Sequence, residues 1–170
     1  LDAAFFHLYL PADVNGDWSL ADVNLLADGT YQFTARATDG AGNQGAASAA
    51  FQVTIDTTAP VAPTFGSVTD NVAPVTGLVA DNGSSNDTTL TIDGTAEPGS
   101  TVTVYDTDGT TVLGTGVASG GAGPIITSAL REGAHTLTLK AAHAAGNQGP
   151  ASAAFHVTID TTAPLVPVIT

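Results

Sequence analysis

Polar and apolar side chains alternate along several short stretches of this chain. Residues 101–105 read TVTVY, residues 136–139 read TLTL, and residues 51–55 and 155–159 read FQVTI and FHVTI. A period of two places successive side chains on opposite faces of a strand, so each stretch is expected to be a half-buried antiparallel strand. No window shows helical periodicity with capping residues. The pattern therefore predicts an all-β fold.

Turn-forming residues separate these stretches, among them Asp93-Gly94, Glu97-Pro98-Gly99 and Asp108-Gly109. In the second part of the chain the pattern predicts seven strands and one short additional strand. Their expected ranges are 63–69, 76–80 (the short strand), 88–95, 101–106, 110–117, 124–129, 134–142 and 152–160. About seven strands is the number found in an immunoglobulin-like (Ig-like) β-sandwich.

The chain also repeats itself. Residues 42–60 read GNQGAASAAFQVTIDTTAP and residues 146–164 read GNQGPASAAFHVTIDTTAP, an offset of 104 residues that continues upstream without a gap. A period near 100 residues is too long for a solenoid and fits whole domains in tandem. We therefore expect a partial Ig-like domain in 1–60, a complete one in 61–164, and the first strand of a following repeat in 165–170.

The first unit lacks a counterpart of the TIDGTAEPGSTVTVY region of the second. Three or four strands make a poor sandwich, because an unpaired sheet face stays in water. We therefore expect the first unit to be completed by a neighbouring molecule, through strand exchange with another copy. Residues 165–170, LVPVIT, are one candidate for the donated strand.

Four segments together carry a family resemblance: TIDTTAP, GTAEPGSTVTVYD, DGTYQFTARATDGAGN and SAAFQVTID. This set resembles the bacterial Ig-like repeats of giant biofilm-associated adhesins, which type I systems secrete and which often carry RTX-type tails. The resemblance implies tandem Greek-key β-sandwiches forming an extracellular stalk on the bacterial cell surface. It also implies calcium at the linkers, stiffening the stalk that holds an adhesive tip away from the cell.

The charge of the chain limits the classes of molecule that it can bind. The chain has sixteen acidic and three basic residues, which give it a net charge of -13. Proteins bind phosphates through Lys and Arg, so the charge of this chain argues against nucleic acid as a partner and disfavours an anionic membrane surface. Cations are the natural partners. The chain has no Cys, which argues against a disulfide scaffold or a zinc–thiolate site. No stretch approaches the about 20 apolar residues of a membrane helix.

Three segments lie at the upstream end of an Ig-like domain. They are the incoming linker, the turn between the strands predicted at 88–95 and 101–106, and the loop between those predicted at 134–142 and 152–160. Asp56, Glu97 and Asn147 occupy these three segments. Carboxylate, amide and carbonyl oxygens suit Ca²⁺, so these residues are a predicted calcium site, which the resemblance supports.

Two further candidates follow from the repeat: Asp160 is the counterpart of Asp56, and Asp39 is the counterpart of His143. Because neutral imidazole is a poor ligand for Ca²⁺, His143 leaves three alternatives at the middle linker. It binds calcium weakly, binds it through backbone carbonyls, or holds no ion.

A second acidic cluster is expected at the downstream end. Asp70 closes the first strand of the complete domain, and Asp81 and Asp87 lie in the long loop before the next. Concentrated carboxylates favour a cation, so these three are also candidate calcium ligands. The alternative is that Asp is there because it suits turns.

Catalysis finds little support, so we predict that the chain is not an enzyme. No Ser lies in a nucleophile-elbow sequence. His135 is expected beside the core and His156 on the surface. Trp18 is interpreted as a core or interface residue and not as a platform for a sugar ring. The leading hypothesis is a structural module of an adhesin. The alternatives are a module that binds carbohydrate, a receptor or ice, and an accessory domain of a secreted hydrolase.

Overall fold

The computed structural model describes residues 11–19, 26–119 and 123–168. The chain divides into two compact units, Leu1–Thr58 and Ala59–Thr170. Every regular element in the described residues is a β-strand. Within those same residues, no helix has the length and apolar character needed to cross a membrane.

The described residues of the first unit form one antiparallel pair of strands, β1 (Gly29–Phe33) and β2 (Phe51–Ile55). The pairing starts with Gly29 opposite Ile55 and ends with Phe33 opposite Phe51. β2 shows the predicted alternation of apolar and polar residues, and β1, which was not predicted, has the same burial pattern.

Nine strands lie in the described residues of the second unit. They are β3 (Thr64–Asp70), β4 (Gly77–Leu78), β5 (Gly83–Ser85), β6 (Thr91–Thr95), β7 (Thr101–Tyr105), β8 (Val112–Val117), β9 (Ile125–Ile126), β10 (Gly133–Ala142) and β11 (Phe155–Ile159). One sheet has the order β5-β11-β10-β7-β8 and the other the order β4-β3-β6-β9. Two sheets around one core form a β-sandwich, which confirms the predicted fold class.

One strand departs from the prediction. β5 lies in a segment that we expected to be loop, and it pairs in parallel with β11, with Val157 opposite Gly83. Its sequence, Gly-Ser-Ser, carries no hydrophobic alternation, so pairing with β11 rather than local pattern makes it a strand. A Cβ at Gly83 would lie 2.7 Å from the Ala80 carbonyl oxygen, which leaves room only for glycine there.

The core lies between the two sheets of the second unit. Eight of the nine residues that the pattern places in the core are buried, namely Leu90, Ile92, Val102, Val104, Leu137, Leu139, Val157 and Ile159. The ninth, Phe155, is half-buried and packs with its ring centroid 5.4 Å from that of Phe65. Each fully buried aliphatic side chain contributes about 1.5–3 kcal/mol, so these residues stabilise the sandwich.

The equivalent positions of the first unit are more accessible. Phe51, the counterpart of Phe155, is 69% exposed. Ile55 is half-buried, whereas its counterpart Ile159 is 1% exposed. Trp18 is 58% exposed, so its interpretation as a core residue is wrong, while a role in an interface stays a prediction. The incompleteness of this unit also stays a prediction.

Candidate functional site

The chain leaves the second unit through Asp160, Thr161 and Thr162, which directly follow β11. Glu132, in the turn before β10, accepts hydrogen bonds from the Thr161 backbone N–H at 2.8 Å and from the Thr161 hydroxyl. The Thr162 N–H donates to Asp160 Oδ1 at 3.0 Å. The Thr161 hydroxyl and then its N–H lower the pKa of Glu132, so the carboxylate is ionised at neutral pH. One acidic side chain thus ties the outgoing linker to the turn before β10.

The first unit repeats this arrangement with a shorter acid. Asp28 Oδ1 accepts the Thr57 N–H at 3.0 Å and the Thr57 hydroxyl at 2.7 Å, and Oδ2 accepts the Thr58 hydroxyl at 2.7 Å. The Thr58 N–H donates to Asp56 Oδ1 at 3.1 Å. The Thr57 and Thr58 hydroxyls and the Thr57 N–H lower the pKa of Asp28.

Our sequence reasoning missed Asp28 and Glu132. The available signal was the repeat itself, which places an acid at both positions although the two acids differ in length. Asp56 and Asp160, which it did find, accept a backbone N–H within their own linkers.

The predicted upstream calcium site draws on both units. Asp56 belongs to the first unit, whereas Glu97 and Asn147 belong to the second. In the second unit, Glu97 Oε1 lies 3.3 Å from His143 Nε2, and the Asn147 carbonyl accepts the His143 N–H at 3.0 Å. The upstream end of this unit therefore does bring Glu97 to the loop that carries Asn147. Calcium at this position stays a prediction.

Asp39 holds its own loop together. Its Oδ1 accepts the N–H groups of Ala41 at 3.0 Å and Asn43 at 2.8 Å, while its Oδ2 accepts the Asn43 amide at 2.8 Å. These bonds, led by the Asn43 side chain, lower the pKa of Asp39. Gly42 has a φ of 90°, a conformation that favours glycine.

The counterpart loop, 143–147, keeps the same backbone path without this carboxylate. Gly146 has a φ of 94° and donates its N–H to the His143 carbonyl at 2.9 Å. The backbone therefore needs the glycine more than the acid, and His143 is turned to Glu97 instead.

Two of the three downstream acids are buried together. Asp70 and Asp87 are 4% and 1% exposed, and Ser85 connects them. Its hydroxyl donates to Asp70 Oδ2 at 2.5 Å, and the Asp87 N–H donates to the same hydroxyl oxygen at 3.0 Å. Burial raises the pKa of Asp87, but hydrogen bonds from the Asn71 N–H and from Thr89 outweigh it and hold the pKa below its ordinary value.

All four carboxylate oxygens of Asp70 and Asp87 accept N–H or O–H donors. Such bonds are those expected of Asp in turns, which supports the turn interpretation, and calcium at these two residues stays a prediction. In the described part of the chain, no three His, Cys, Asp or Glu side chains are grouped to hold a metal.

Asp81 instead fastens the edge of the sheet. Its Oδ1 accepts the His156 backbone N–H at 2.7 Å and lies 3.2 Å from the His156 Nδ1. The Asn82 N–H donates to the His156 carbonyl at 2.8 Å. The His156 N–H contributes most to lowering the pKa of Asp81. Asp81 therefore anchors the segment before β5 to β11, and His156 lies on the surface as predicted.

His135 lies beside the core as predicted, between two hydrogen-bond acceptors. Its Nδ1 is 2.8 Å from Asp106 Oδ1 and its Nε2 is 2.9 Å from the Arg131 carbonyl oxygen. Burial of the ring opposes its charged form. The bonds to Asp106 and Arg131 and the charge of Asp106 outweigh burial and raise the pKa of His135. In the first unit the counterpart is Tyr31, whose hydroxyl donates to the Ala27 carbonyl at 2.9 Å.

The sandwich and the repeated linker contacts define the chain as a protein of tandem Ig-like β-domains. It matches the family model described as "Bacterial Ig-like domain" over residues 7–57 and 64–161, and it belongs to this family. This confirms the predicted resemblance to bacterial Ig-like repeats.

Among solved structures, the chain is similar to a "Biofilm associated protein - BSP domain". The two are 26% identical, with a TM-score of 0.39, and the match covers 81% of this chain and 20% of that chain. The present chain thus spans about a fifth of that protein's length. A comparison with curated proteins finds no match.

Proposed function

We propose that this chain is an extracellular extension module of a bacterial surface adhesin, with a structural and non-enzymatic role in cell adhesion or biofilm formation. Its contribution is length and stiffness. The observation that carries this proposal is the recurrence of one unit with its linker, down to the same carboxylate–threonine contacts after β2 and after β11. Membership in the bacterial Ig-like family supports it.

The extension role has a direct solution test. Small-angle X-ray scattering of the 170-residue protein should give an elongated particle whose maximum dimension is insensitive to salt. A variant with Gly-Ser-Gly in place of Thr57–Ala59 serves as the flexible control. A parent that scatters like this control would contradict the extension role.

We further propose that Ca²⁺ binds at the seam between units and stiffens it. Asp56, Glu97 and Asn147 are the side chains that would supply oxygen ligands there. Two carboxylates among them match the hard-oxygen preference of Ca²⁺, and the net charge of -13 favours any cation. A bound ion stabilises the folded state by mass action and screens the acids on either side.

Calcium binding is measured by melting the protein in millimolar CaCl₂ and in EDTA. We expect the melting temperature to rise by several degrees with calcium, and Glu97→Gln to remove that rise. Asp108→Asn is the matched control, since the Asp108 carboxylate is engaged in its own hairpin by Thr111 and Thr110. Identical melting curves with and without calcium would refute the calcium role and leave the extension role standing.

One observation favours a second function. Trp18 is 58% exposed, and an exposed indole is a suitable platform for a sugar ring. A carbohydrate-binding module should therefore give a glycan-array signal that Trp18→Ala abolishes. An array without signal above a Trp18→Ala background would contradict this function.

A further inference from the structure

Each unit holds its outgoing linker by the same set of contacts. We define the linker clasp as the acid before the first strand of the hairpin, Asp28 or Glu132, with the threonines that bond to it, Thr57–Thr58 or Thr161–Thr162. We propose that the linker clasp fixes, without a metal ion, the direction in which the chain leaves each unit. This inference rests on the proposed extension function and identifies Asp28 and Glu132 as its positioning residues.

The clasp occurs twice with different acids. The Thr57 N–H reaches Asp28 Oδ1 at 3.0 Å and the Thr161 N–H reaches Glu132 Oε1 at 2.8 Å, although Glu is one methylene longer. In both units the threonine hydroxyl donates to the same oxygen as the threonine N–H. Two side chains of different length thus satisfy the same pair of donors, so the position of the linker, and not one side chain, is what the two units share.

The clasp connects the two strands of a hairpin at one end of the pair. Its acid and its first threonine are 29 residues apart, one before the first strand of the pair and one after the second. In the first unit, Gly29 pairs with Ile55, which places residues 28 and 57 just beyond the paired ends. The linker is therefore tied to a rigid sheet end and not to a mobile loop tip.

The second unit holds the same linker at Pro60. Pro60 is fully buried, and its carbonyl oxygen approaches Gly149 so closely that a Cβ there would lie 2.1 Å away. The first unit holds the chain up to Thr58, so Ala59 is the single residue between the two anchors. The α region is disfavoured for a residue before proline, which restricts the backbone of Ala59 as well. Only Ala59 therefore separates the residues that the first unit binds from those that the second unit buries.

The experiment measures the joint directly in the 170-residue protein. The chain has no cysteine, so spin labels can be placed by Ala50→Cys and Ala154→Cys, two exposed and repeat-equivalent positions. Double electron–electron resonance then gives the distribution of distances between the two units. With EDTA present, we expect a narrow distribution in the parent, a clearly broader one in Asp28→Ala, and recovery in Asp28→Glu, the acid that the second unit uses.

Glu132→Ala is the matched control, because it removes the same clasp from the second linker. It should leave the Ala50–Ala154 distribution unchanged. Amide exchange is the second readout and reports on the clasp even if a variant is less stable. Thr57 should exchange several-fold faster in Asp28→Ala only, and Thr161 several-fold faster in Glu132→Ala only.

Two results would overturn the inference. One is an Asp28→Ala distribution as narrow as that of the parent in EDTA. The other is a parent distribution that is broad in EDTA and narrows only with calcium, which would assign the joint to the metal and support the calcium role. If the joint stays narrow in every variant, the clasp is refuted while the extension function survives.

Discussion

His135 should make the stability of the second unit depend on pH in a way that the first unit does not. An ionised carboxylate and a carbonyl both lack a proton to donate, so the two acceptors beside the ring require an N–H on each nitrogen. Only the imidazolium has both. A neutral ring keeps one of the two bonds and loses its charge pairing with Asp106, which sits 2.8 Å away.

The size of the stability change depends on how far His135 and Asp106 are buried. The side chains of His135 and Asp106 are 10% and 21% exposed, so water screens the pair only in part. A hydrogen bond to a charged group contributes about 1.5–3 kcal/mol. We expect His135→Tyr to cost about 2 kcal/mol at pH 5.5, because tyrosine reaches the Arg131 carbonyl, as Tyr31 reaches its counterpart, but leaves Asp106. For a domain of this size that is roughly 8 °C in melting temperature.

The direction of the pKa shifts determines on which side of neutral pH the second unit loses stability. The pKa of His135 is raised above its ordinary 6.5, so its stabilisation is complete below pH 6.5 and is lost as pH rises through the folded-state value. The pKa of Asp106 is held below its ordinary 3.8, despite burial, by its bond to His135 and its bonds from Thr107. Its contribution is therefore present above pH 3.8 and is lost in stronger acid. Both contributions are complete between these two limits.

Urea unfolding of the second unit between pH 5.5 and 9, followed by circular dichroism, measures this dependence. The parent should lose stability on the alkaline side, and His135→Tyr should lose that step. His156→Gln, which inserts the residue of the first unit at a surface histidine, is the matched control for the loss of a histidine. If His135→Tyr and the parent show equal slopes above pH 6.5, the two-acceptor argument is wrong.

Three further predictions concern the core and the edges. The Thr127 hydroxyl is buried without a hydrogen-bond partner in the described structure, so Thr127→Val should raise the unfolding free energy by about 1 kcal/mol in urea titration, and a loss would contradict this. Ser85→Ala removes a donor from the buried Asp70 carboxylate and should cost about 1–3 kcal/mol in the same assay, whereas a neutral result would mean that water replaces the hydroxyl. Leu165 and Val166 are 95% and 87% exposed, so concentration-dependent association by strand exchange should appear in sedimentation velocity and be lost in a Leu165→Asp/Val166→Asp variant; sedimentation of the parent that is independent of concentration would refute it.

The sequence predicted the sandwich because most of its strands carry their own alternation. The pattern of Thr101–Tyr105 or Phe155–Ile159 encodes which face is buried, and the structure follows it. Nothing comparable marks Gly83–Ser85, whose strand exists through its partner. Trp18 shows that an aromatic side chain alone does not predict burial. Such a side chain is buried only where a second sheet covers it, and Trp18 is 58% exposed.

The candidate sites were harder to predict than the fold, because they depend on residues brought together from distant loops. Reasoning from composition found Asp70 and Asp87 but not Ser85, which joins them by hydrogen bonds. It found Asp56 but not Asp28, which is 29 residues from its partner Thr57. Hairpin register sets such pairs, and a one-residue change in register would separate them. Comparison of the two repeats can still identify such pairs from the sequence, because both repeats carry them.

That comparison separates two kinds of contact. Backbone-supporting contacts recur in both units: Ser48 and Ser152 each accept the backbone N–H of the residue 13 positions earlier, at 3.0 Å. Histidines do not recur, since His135, His143 and His156 replace a tyrosine, an aspartate and a glutamine.

Each of these three histidines lies near a carboxylate, at 2.8, 3.3 and 3.2 Å. The pKa of His135 is raised, so protonation of His135 adds attraction to Asp106 in the second unit, where the first unit has Tyr31 at the equivalent position. Mild acid should therefore leave the linker clasp intact while it stabilises the second unit relative to the first. Two repeats with the same mechanical contacts can in this way differ in the pH at which each is most stable.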